Sequence, residues 1–301
     1  MMIHPIPTQN TLFDLPHLSI LNLIGEKASE FLQGQISCDA NQVNANTMRQ
    51  GALCNLKGRV LALPDVLSWH GLKLILPKNL LEKTQKSLAA TAMLSRVSLE
   101  HDTQYHMLGF YLYDVKQALP LEGVWPSDKN AVLVHDNACA YYLGDNFYLM
   151  LVDTNQLKAI KASFEQKNLL QDSDAWHALR LQHGEIQIYP ESRGVFLPHR
   201  LGLQNTGHLN FDKGCYKGQE IIARTHYRAK IKHVMKVFTI ETSEALMPGL
   251  RIMTEDGARE VGELVDFCHL SNSNHVMIAA SLLIEHPDTM RFEDQGQAFK
   301  I

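Results

Sequence analysis

The sequence predicts an α+β fold in which two α+β lobes precede a small C-terminal antiparallel β-barrel. Residues 72–88 and 147–164 each contain an apolar strand, a polar break and an amphipathic helix, which indicates a weak structural repeat. From His233 onward, short strand-like segments are separated by turn signals, a pattern typical of small barrels. We therefore predict one region at residues 1–232 and a second at residues 233–301.

The predicted first lobe opens with a strand at residues 18–23 and a short helix at residues 26–33. Strands at 51–56, 59–69 and 72–76 follow, the last two joined by a turn at His70-Gly71. A helix then runs from about Pro77 to Met93. Apolar spacing of three and four residues predicts its inner face, which consists of Leu80, Leu81, Thr84 and Leu88.

The predicted second lobe contains strands at residues 131–134, 138–143 and 147–152. Thr154 is expected to cap a helix that follows them, and Ser173 a second helix that ends at Gly184. Several prolines and glycines then predict a long irregular connection, and connections of this length are usually functional or disordered.

Composition narrows the functional classes. The chain has 301 residues, 45% of them hydrophobic, and a net charge of −4, which argues against wholesale binding to nucleic acid or membranes. Residues 1–10 lack the pattern of a signal peptide. The five cysteines are widely spaced with no C-x-x-C, so we expect reduced thiols in the cytoplasm rather than disulfides or zinc. Dinucleotide, P-loop and serine-hydrolase motifs are absent from the sequence.

The segment KGCYKGQE at residues 213–220 carries the clearest chemistry. Gly214 and Gly218 flank residues 215–217, so the backbone of this segment can take tight or left-handed conformations. Residues 219–224 predict a helix, so Cys215 would lie just before its N-terminus, near Lys213 and Lys217. Both features favour a thiolate, which could act as a nucleophile, a redox centre or a soft-metal ligand. An inert, half-buried cysteine is the alternative from local chemistry alone.

A basic segment follows the motif. Residues 224–236 contain five Lys or Arg residues and no acid. The segment could bind anionic groups such as a folate tail or a phosphate, or it could contact RNA through Tyr227. A solvated helix face followed by an edge strand explains the same composition.

The motif closely resembles K-G-C-Y-x-G-Q-E of the YgfZ family, which comprises folate-binding relatives of the glycine-cleavage T-protein. All seven specified positions match. The resemblance continues in FLQGQ (31–35), GALCNLKGR (51–59), LRLQHG (179–184), FLP (196–198) and EIIARTH (220–226). It covers residues 18–236, whereas the C-terminal part matches only in length and barrel-like pattern.

The resemblance implies two interlocked α+β lobes of ferredoxin-like or Greek-key type and a C-terminal barrel, arranged around a central channel. It also implies binding of tetrahydrofolate or a folinic acid-like derivative, and support for assembly or repair of iron–sulfur enzymes that include tRNA-modifying radical enzymes. Cys215 is the residue associated with that role. We expect Lys213, Tyr216, Gln219 and Glu220 to shape the loop or the folate site, and Arg228 and Lys230 to bind the folate tail. A monomer is expected, and direct tRNA contact is not.

Two departures from the related families bear on function. Where T-proteins carry an Asp pair, this chain has an aliphatic run, and the first carboxylate after Gly58 is Asp65, which follows Pro64. Aminomethyl transfer is therefore not the expected activity, because polarising the amine needs a charged group. Gln182 stands where many relatives have Glu, so it accepts hydrogen bonds from the pterin without charge assistance. A true aminomethyltransferase and a tRNA-binding module remain the alternative functions.

Overall fold

A computed structural model describes residues 5–270, 274–293 and 295–301. Within them the chain forms nineteen strands and five α-helices. The strands are β1 (Thr11–Asp14), β2 (Leu18–Ile24), β3 (Arg49–Gln50), β4 (Leu53–Cys54), β5 (Val60–Ala62), β6 (Asp65–Ser68), β7 (Leu72–Pro77), β8 (Ser98–Asp102), β9 (Tyr105–Tyr111), β10 (Val132–Val134), β11 (Ala138–Gly144), β12 (Phe147–Asp153), β13 (Leu170–Gln171), β14 (His233–Glu241), β15 (Arg251–Thr254), β16 (Glu260–His269), β17 (His275–Leu283), β18 (Thr289–Phe292) and β19 (Ala298–Lys300). The helices are α1 (Ala28–Gln33), α2 (Lys78–Leu94), α3 (Thr154–Glu165), α4 (Ser173–Gln182) and α5 (Gln219–Arg228).

The first sheet has the strand order β3-β6-β7-β2-β8. Helix α2 packs on it against β2, β7 and β8. The predicted inner face of this helix is confirmed, since Leu80, Leu81, Thr84 and Leu88 are all buried. Such burial of one face supplies most of the stability of an amphipathic helix. The two long strands expected at 51–69 are broken into short pieces around Gly58 and Pro64.

The second sheet has the order β10-β11-β12-β9-β1-β13. Strand β1 precedes the first sheet in the chain but pairs with β9 and β13 in the second. The chain therefore crosses between the two sheets within its first 25 residues. Asp153 and Asp172 cap α3 and α4 by accepting from backbone amides, so the predicted caps Thr154 and Ser173 are wrong by one residue.

The third sheet contains only residues after 232 and is antiparallel throughout, in the order β14-β17-β16-β15-β18-β19. It curls into a half-barrel of six strands. Strands β14, β16 and β17 are nine or ten residues long, so the expectation of short strands is wrong for them.

Polar contacts at two carboxylates, Asp266 and Glu263, hold the third sheet against the rest of the chain. Asp266 lies next to an irregularity in the pairing of β16 with β17 and is fully buried. It accepts hydrogen bonds from Tyr189 Oη at 2.6 Å and the backbone amide of Gln187 at 2.8 Å, and pairs with His177 at 3.0 Å. Nearby, Arg200 pairs with Glu263 of β16. These contacts fix the segment between α4 and α5 against the third sheet.

Candidate functional site

The turn before α5 requires glycine at Gly218 but not at Gly214. Gly218 has φ +84°, and an added Cβ would lie 2.4 Å from the carbonyl oxygen of Asn55. Gly58 also has a positive φ, and its Cβ would lie 3.1 Å from Ile221 Cβ. Gly214 is outside the left-handed region, and a Cβ added there would meet nothing within 4 Å, so the structure does not require glycine at this position. The GALCNLKGR and KGCYKGQE blocks thus pack backbone against backbone.

Lys213 anchors the motif to the FLQGQ block. Its Nζ donates to the carbonyl oxygens of Gln33, Ile36 and Cys38 at 2.8, 2.6 and 2.7 Å. An ammonium group has three donors, and all three are used here. Burial lowers the pKa of Lys213 to about 8. These contacts agree with a loop-shaping role for Lys213.

Tyr216 and Gln219 close the turn. The backbone amide of Tyr216 donates to Gln219 Oε1 at 3.2 Å, and the Tyr216 ring lies 5.1 Å from Lys213 Nζ. The Tyr216 hydroxyl is buried without a partner among the described residues, and burial raises its pKa. Glu220 is exposed in the first turn of α5, a favourable position for a carboxylate.

Cys215 is the accessible thiol of the chain. It is exposed and free, whereas Cys38, Cys54, Cys139 and Cys268 are free and buried. Burial raises the pKa of Cys38, Cys54 and Cys139 to about 12, which makes those thiols inert. The predicted position of Cys215 is confirmed, since α5 begins four residues later at Gln219. No cluster of three or more candidate metal ligands occurs among the described residues.

The basic segment is mostly exposed. The exposed side of α5 presents Arg224, Tyr227 and Arg228 around a shallow hollow that Glu220 also borders. Lys230 is exposed beyond the end of the helix. His226 is engaged, because it stacks on Phe211 with ring centroids 3.9 Å apart. Residues Arg228 and Lys230 are not brought together with Cys215 or Gln182 in any of the cavities described next.

Three neighbouring cavities lie where the sheets meet, and each shares wall residues with the next. The central cavity, of about 110 Å³, has walls from both of the first two sheets and from residues 185–188. It shares His17, Pro77 and Gln187 with the helix-end cavity, of about 460 Å³, which borders the first residues of α2 and α4. It shares Leu63, Glu185 and Ile186 with the sheet-side cavity, of about 320 Å³, which borders the third sheet.

The central cavity contains a carboxylate. Asp65 accepts from Tyr141 Oη at 2.8 Å and from Gln50 Nε2 at 3.1 Å. Burial raises the pKa of Asp65 to about 6, despite both hydrogen bonds. Glu185 borders the same cavity and pairs with Arg180 at 3.4 Å.

Several buried polar atoms near these cavities have no partner among the described residues. Gln50 Oε1 in the central cavity is one. In the sheet-side cavity they are Gln204 Oε1 and both ring nitrogens of His199. Burial lowers the pKa of His199 to about 4, so its ring is neutral at pH 7. Gln182, the last residue of α4, also has a buried, unpartnered Oε1, but it is outside the walls of the three cavities.

Comparison with known proteins identifies relatives of this chain. No family model matches the chain. It is 26% identical to "tRNA-modifying protein YgfZ" of Sodalis glossinidius, over 90% of this chain and 85% of the relative. It is 27% identical to the protein of that name from Photorhabdus laumondii, over 97% and 91% of the two chains. The chain is a homologue of the YgfZ proteins.

A solved structure agrees on the fold. The glycine cleavage system aminomethyltransferase T of Bartonella henselae superposes with a TM-score of 0.65, over 97% of this chain and 84% of its own, at 12% identity. The YgfZ homologue therefore has an aminomethyltransferase-like fold. The resemblance inferred from the motif is confirmed.

The sequence interpretation missed Asp65, Gln50 and His199 as cavity residues. Asp65 lines the central cavity together with Leu63, although the break between β5 and β6 separates them. Nothing local marks Gln50 or His199, since both reach their cavities through contacts distant in sequence.

Proposed function

We propose that this protein binds tetrahydrofolate, or a folinic acid-like derivative, and supports assembly or repair of iron–sulfur enzymes that include tRNA-modifying radical enzymes. We link this activity to tRNA modification because the relatives are named tRNA-modifying proteins. The aminomethyltransferase-like fold makes folate the first ligand to consider. We place this activity in the cytoplasm and expect a monomer.

The folate part of the proposal rests on the three cavities with shared walls. We propose that they form one passage, the central channel of three lobes in which the third sheet acts as the barrel lobe. An elongated ligand with a flat heterocycle at one end suits a row of cavities of unequal size. The buried, unpartnered Gln50 Oε1 of the central cavity suits the amino and N–H groups of a pterin, since leaving such an atom unpaired is costly. The neutral His199 borders the sheet-side cavity, the next part of the proposed passage.

The folate tail carries carboxylates, and Arg228 and Lys230 remain our candidates for binding them. Neither forms an ion pair with another described residue. Lys230 directly precedes Ile231, which borders the sheet-side cavity. Arg–carboxylate pairs are strong where they are bidentate, which favours Arg228 over Lys230.

The proposed role of Cys215 is that of a reactive thiol outside the folate passage, acting as a transient ligand or as a sulfur or redox relay. Lys213 and Gln219 would hold the loop that presents it, and Glu220 would favour the start of α5. Tyr216 and Gln182 are proposed contacts of the folate or of its surroundings, because each has a buried polar atom without a partner among the described residues.

Titration of the purified full-length chain with tetrahydrofolate and folinic acid tests the folate part. We expect saturable binding of both compounds, and Arg228→Ala should weaken binding about tenfold through loss of one charged contact. Lys158→Ala, which removes an exposed cation of α3 that borders none of the three cavities nor the hollow beside α5, is the control and should not weaken it. Absence of saturable binding to either compound would refute the folate part of the proposal.

A further inference from the structure

Gln50 and Asp65 form a cross-strand pair on the wall of the central cavity. They face each other between β3 and β6, and Gln50 Nε2 donates to Asp65 Oδ1 at 3.1 Å. An ionised carboxylate only accepts hydrogen bonds, so the amide nitrogen of Gln50 must face Asp65. Gln50 Oε1 is consequently left buried and without a partner among the described residues.

Asp65 has acceptor capacity to spare. Its two known donors are Gln50 at Oδ1 and Tyr141 at Oδ2. A carboxylate offers about four acceptor positions, two on each oxygen. Each oxygen of Asp65 can therefore accept a further hydrogen bond from a group in the cavity.

The remaining wall is largely apolar. Ile75, Leu149, Trp176 and Ile186 border the same cavity as Asp65. In such surroundings an unpaired acceptor costs more than it would in water. The complementary ligand is a flat, largely apolar ring that carries several N–H donors along one edge.

We infer that Gln50 and Asp65 are the residues that select a 2-amino-4-oxopteridine over a 2,4-dioxopteridine, by accepting hydrogen bonds from its 2-amino group and ring N–H. This inference rests on the proposed function, because the pterin of a folate is such a ring. Asp65, rather than Gln182, then accepts from the 2-amino group, because Gln182 is outside the walls of the central cavity. A charged acceptor at Asp65 then supplies what Gln182 lacks.

The test compares two stable fragments, 6,7-dimethylpterin and 6,7-dimethyllumazine. The pterin has a 2-amino group beside an unprotonated N1, and the lumazine has a 2-oxo group beside an N1–H. Binding of each to the wild-type chain and to Asp65→Asn is measured by fluorescence titration. Asn is nearly isosteric with Asp, and thermal melting checks that the variant is folded. The wild type should prefer the pterin about tenfold, the worth of one charge-assisted hydrogen bond. The variant should lose most of that preference.

The outcomes separate this inference from the proposed function. Equal affinity of the wild type for the two fragments overturns the inference even if tetrahydrofolate binds. A pterin preference that survives in Asp65→Asn but disappears in Gln182→Ala also overturns it, and leaves folate binding intact. Pterin binding that depends on Asp65, without any binding of tetrahydrofolate, supports the inference and refutes the folate proposal. Failure of the wild type to bind any of these compounds refutes both.

Discussion

The hydroxyl of Tyr141 in β11 donates to Asp65 Oδ2 in β6 over 2.8 Å, so a residue of the second sheet holds a carboxylate of the first. The two residues are 76 positions apart in the chain. This hydrogen bond connects the two sheets at the central cavity. It also favours the ionised form of a carboxylate whose burial favours the protonated form.

Pterin binding should depend on pH through Asp65. Protonation removes acceptor capacity, so affinity should fall as the pH falls through about 6, the pKa to which burial raises Asp65. Tyr141 lowers this pKa, Glu185 raises it and Arg180 lowers it. Tyr141→Phe should therefore move the midpoint to higher pH. Titration with 6,7-dimethylpterin between about pH 5 and 8, a range that spans this shifted pKa, measures both midpoints. An unchanged or lower midpoint in the variant would contradict the account.

The two glycines of the motif should respond differently to alanine. Gly218→Ala forces a left-handed alanine and places its Cβ against the Asn55 carbonyl, so we expect a loss of about 2 kcal/mol in the free energy of unfolding. Gly214→Ala is the matched control, because its Cβ would meet nothing within 4 Å. Urea denaturation compares the two. Equal losses of stability in the two variants would contradict the account, because they would show that the close packing of residues 55–58 against Gly218 does not determine the cost of the substitution.

Lys213 should matter for stability through its three carbonyl contacts. Lys213→Met keeps the apolar stem but leaves three carbonyl oxygens without their donor, and should cost about 3 kcal/mol in the free energy of unfolding. Lys217→Met removes a neighbouring ammonium group and serves as the control. Denaturant midpoints that fall equally in both variants would argue against the anchoring role.

His199 should lower stability at acid pH while serving ligand binding. Burial lowers the pKa of His199 from 6.5 to about 4, so the folded state favours the neutral ring. This contribution is complete above pH 6.5 and is lost as the pH falls towards 4, because only the unfolded state takes up the proton in that range. His199→Leu should flatten this part of the stability profile and weaken tetrahydrofolate binding. A variant that binds tetrahydrofolate as the wild type does would exclude His199 from the site.

The sequence was sufficient to predict elements whose conformation depends mainly on their own residues. Periodicity was sufficient for α2, where the apolar spacing coincides with the buried face. It was not sufficient for β1 and β8. Strand β1 has four residues, and β8 (SLEHD) is polar and largely solvent-accessible, so neither carries an apolar pattern of its own. Their strand conformation comes from pairing with distant segments.

The residues of the candidate site were also predictable only in part. Cys215 and the helix after it were predictable, because a contiguous motif specifies the turn. The contacts of Lys213 with residues 33–38 were not, since they span about 175–180 positions in the chain. From the sequence, Asp65 is only the first carboxylate after Gly58, with no predicted role. The structure places it on the wall of the central cavity, which Leu63 also lines.

The central claim is that the exposed thiol of Cys215 supports tRNA-modifying iron–sulfur enzymes separately from folate binding. The most direct measurement is the level of methylthiolated tRNA, by mass spectrometry, in a strain that lacks its own YgfZ and expresses this chain. Cys215→Ala should fail to restore the modification while its tetrahydrofolate affinity remains within about twofold of wild type. Cys38→Ala, which removes a buried thiol, should restore it. Full restoration by Cys215→Ala would contradict the account.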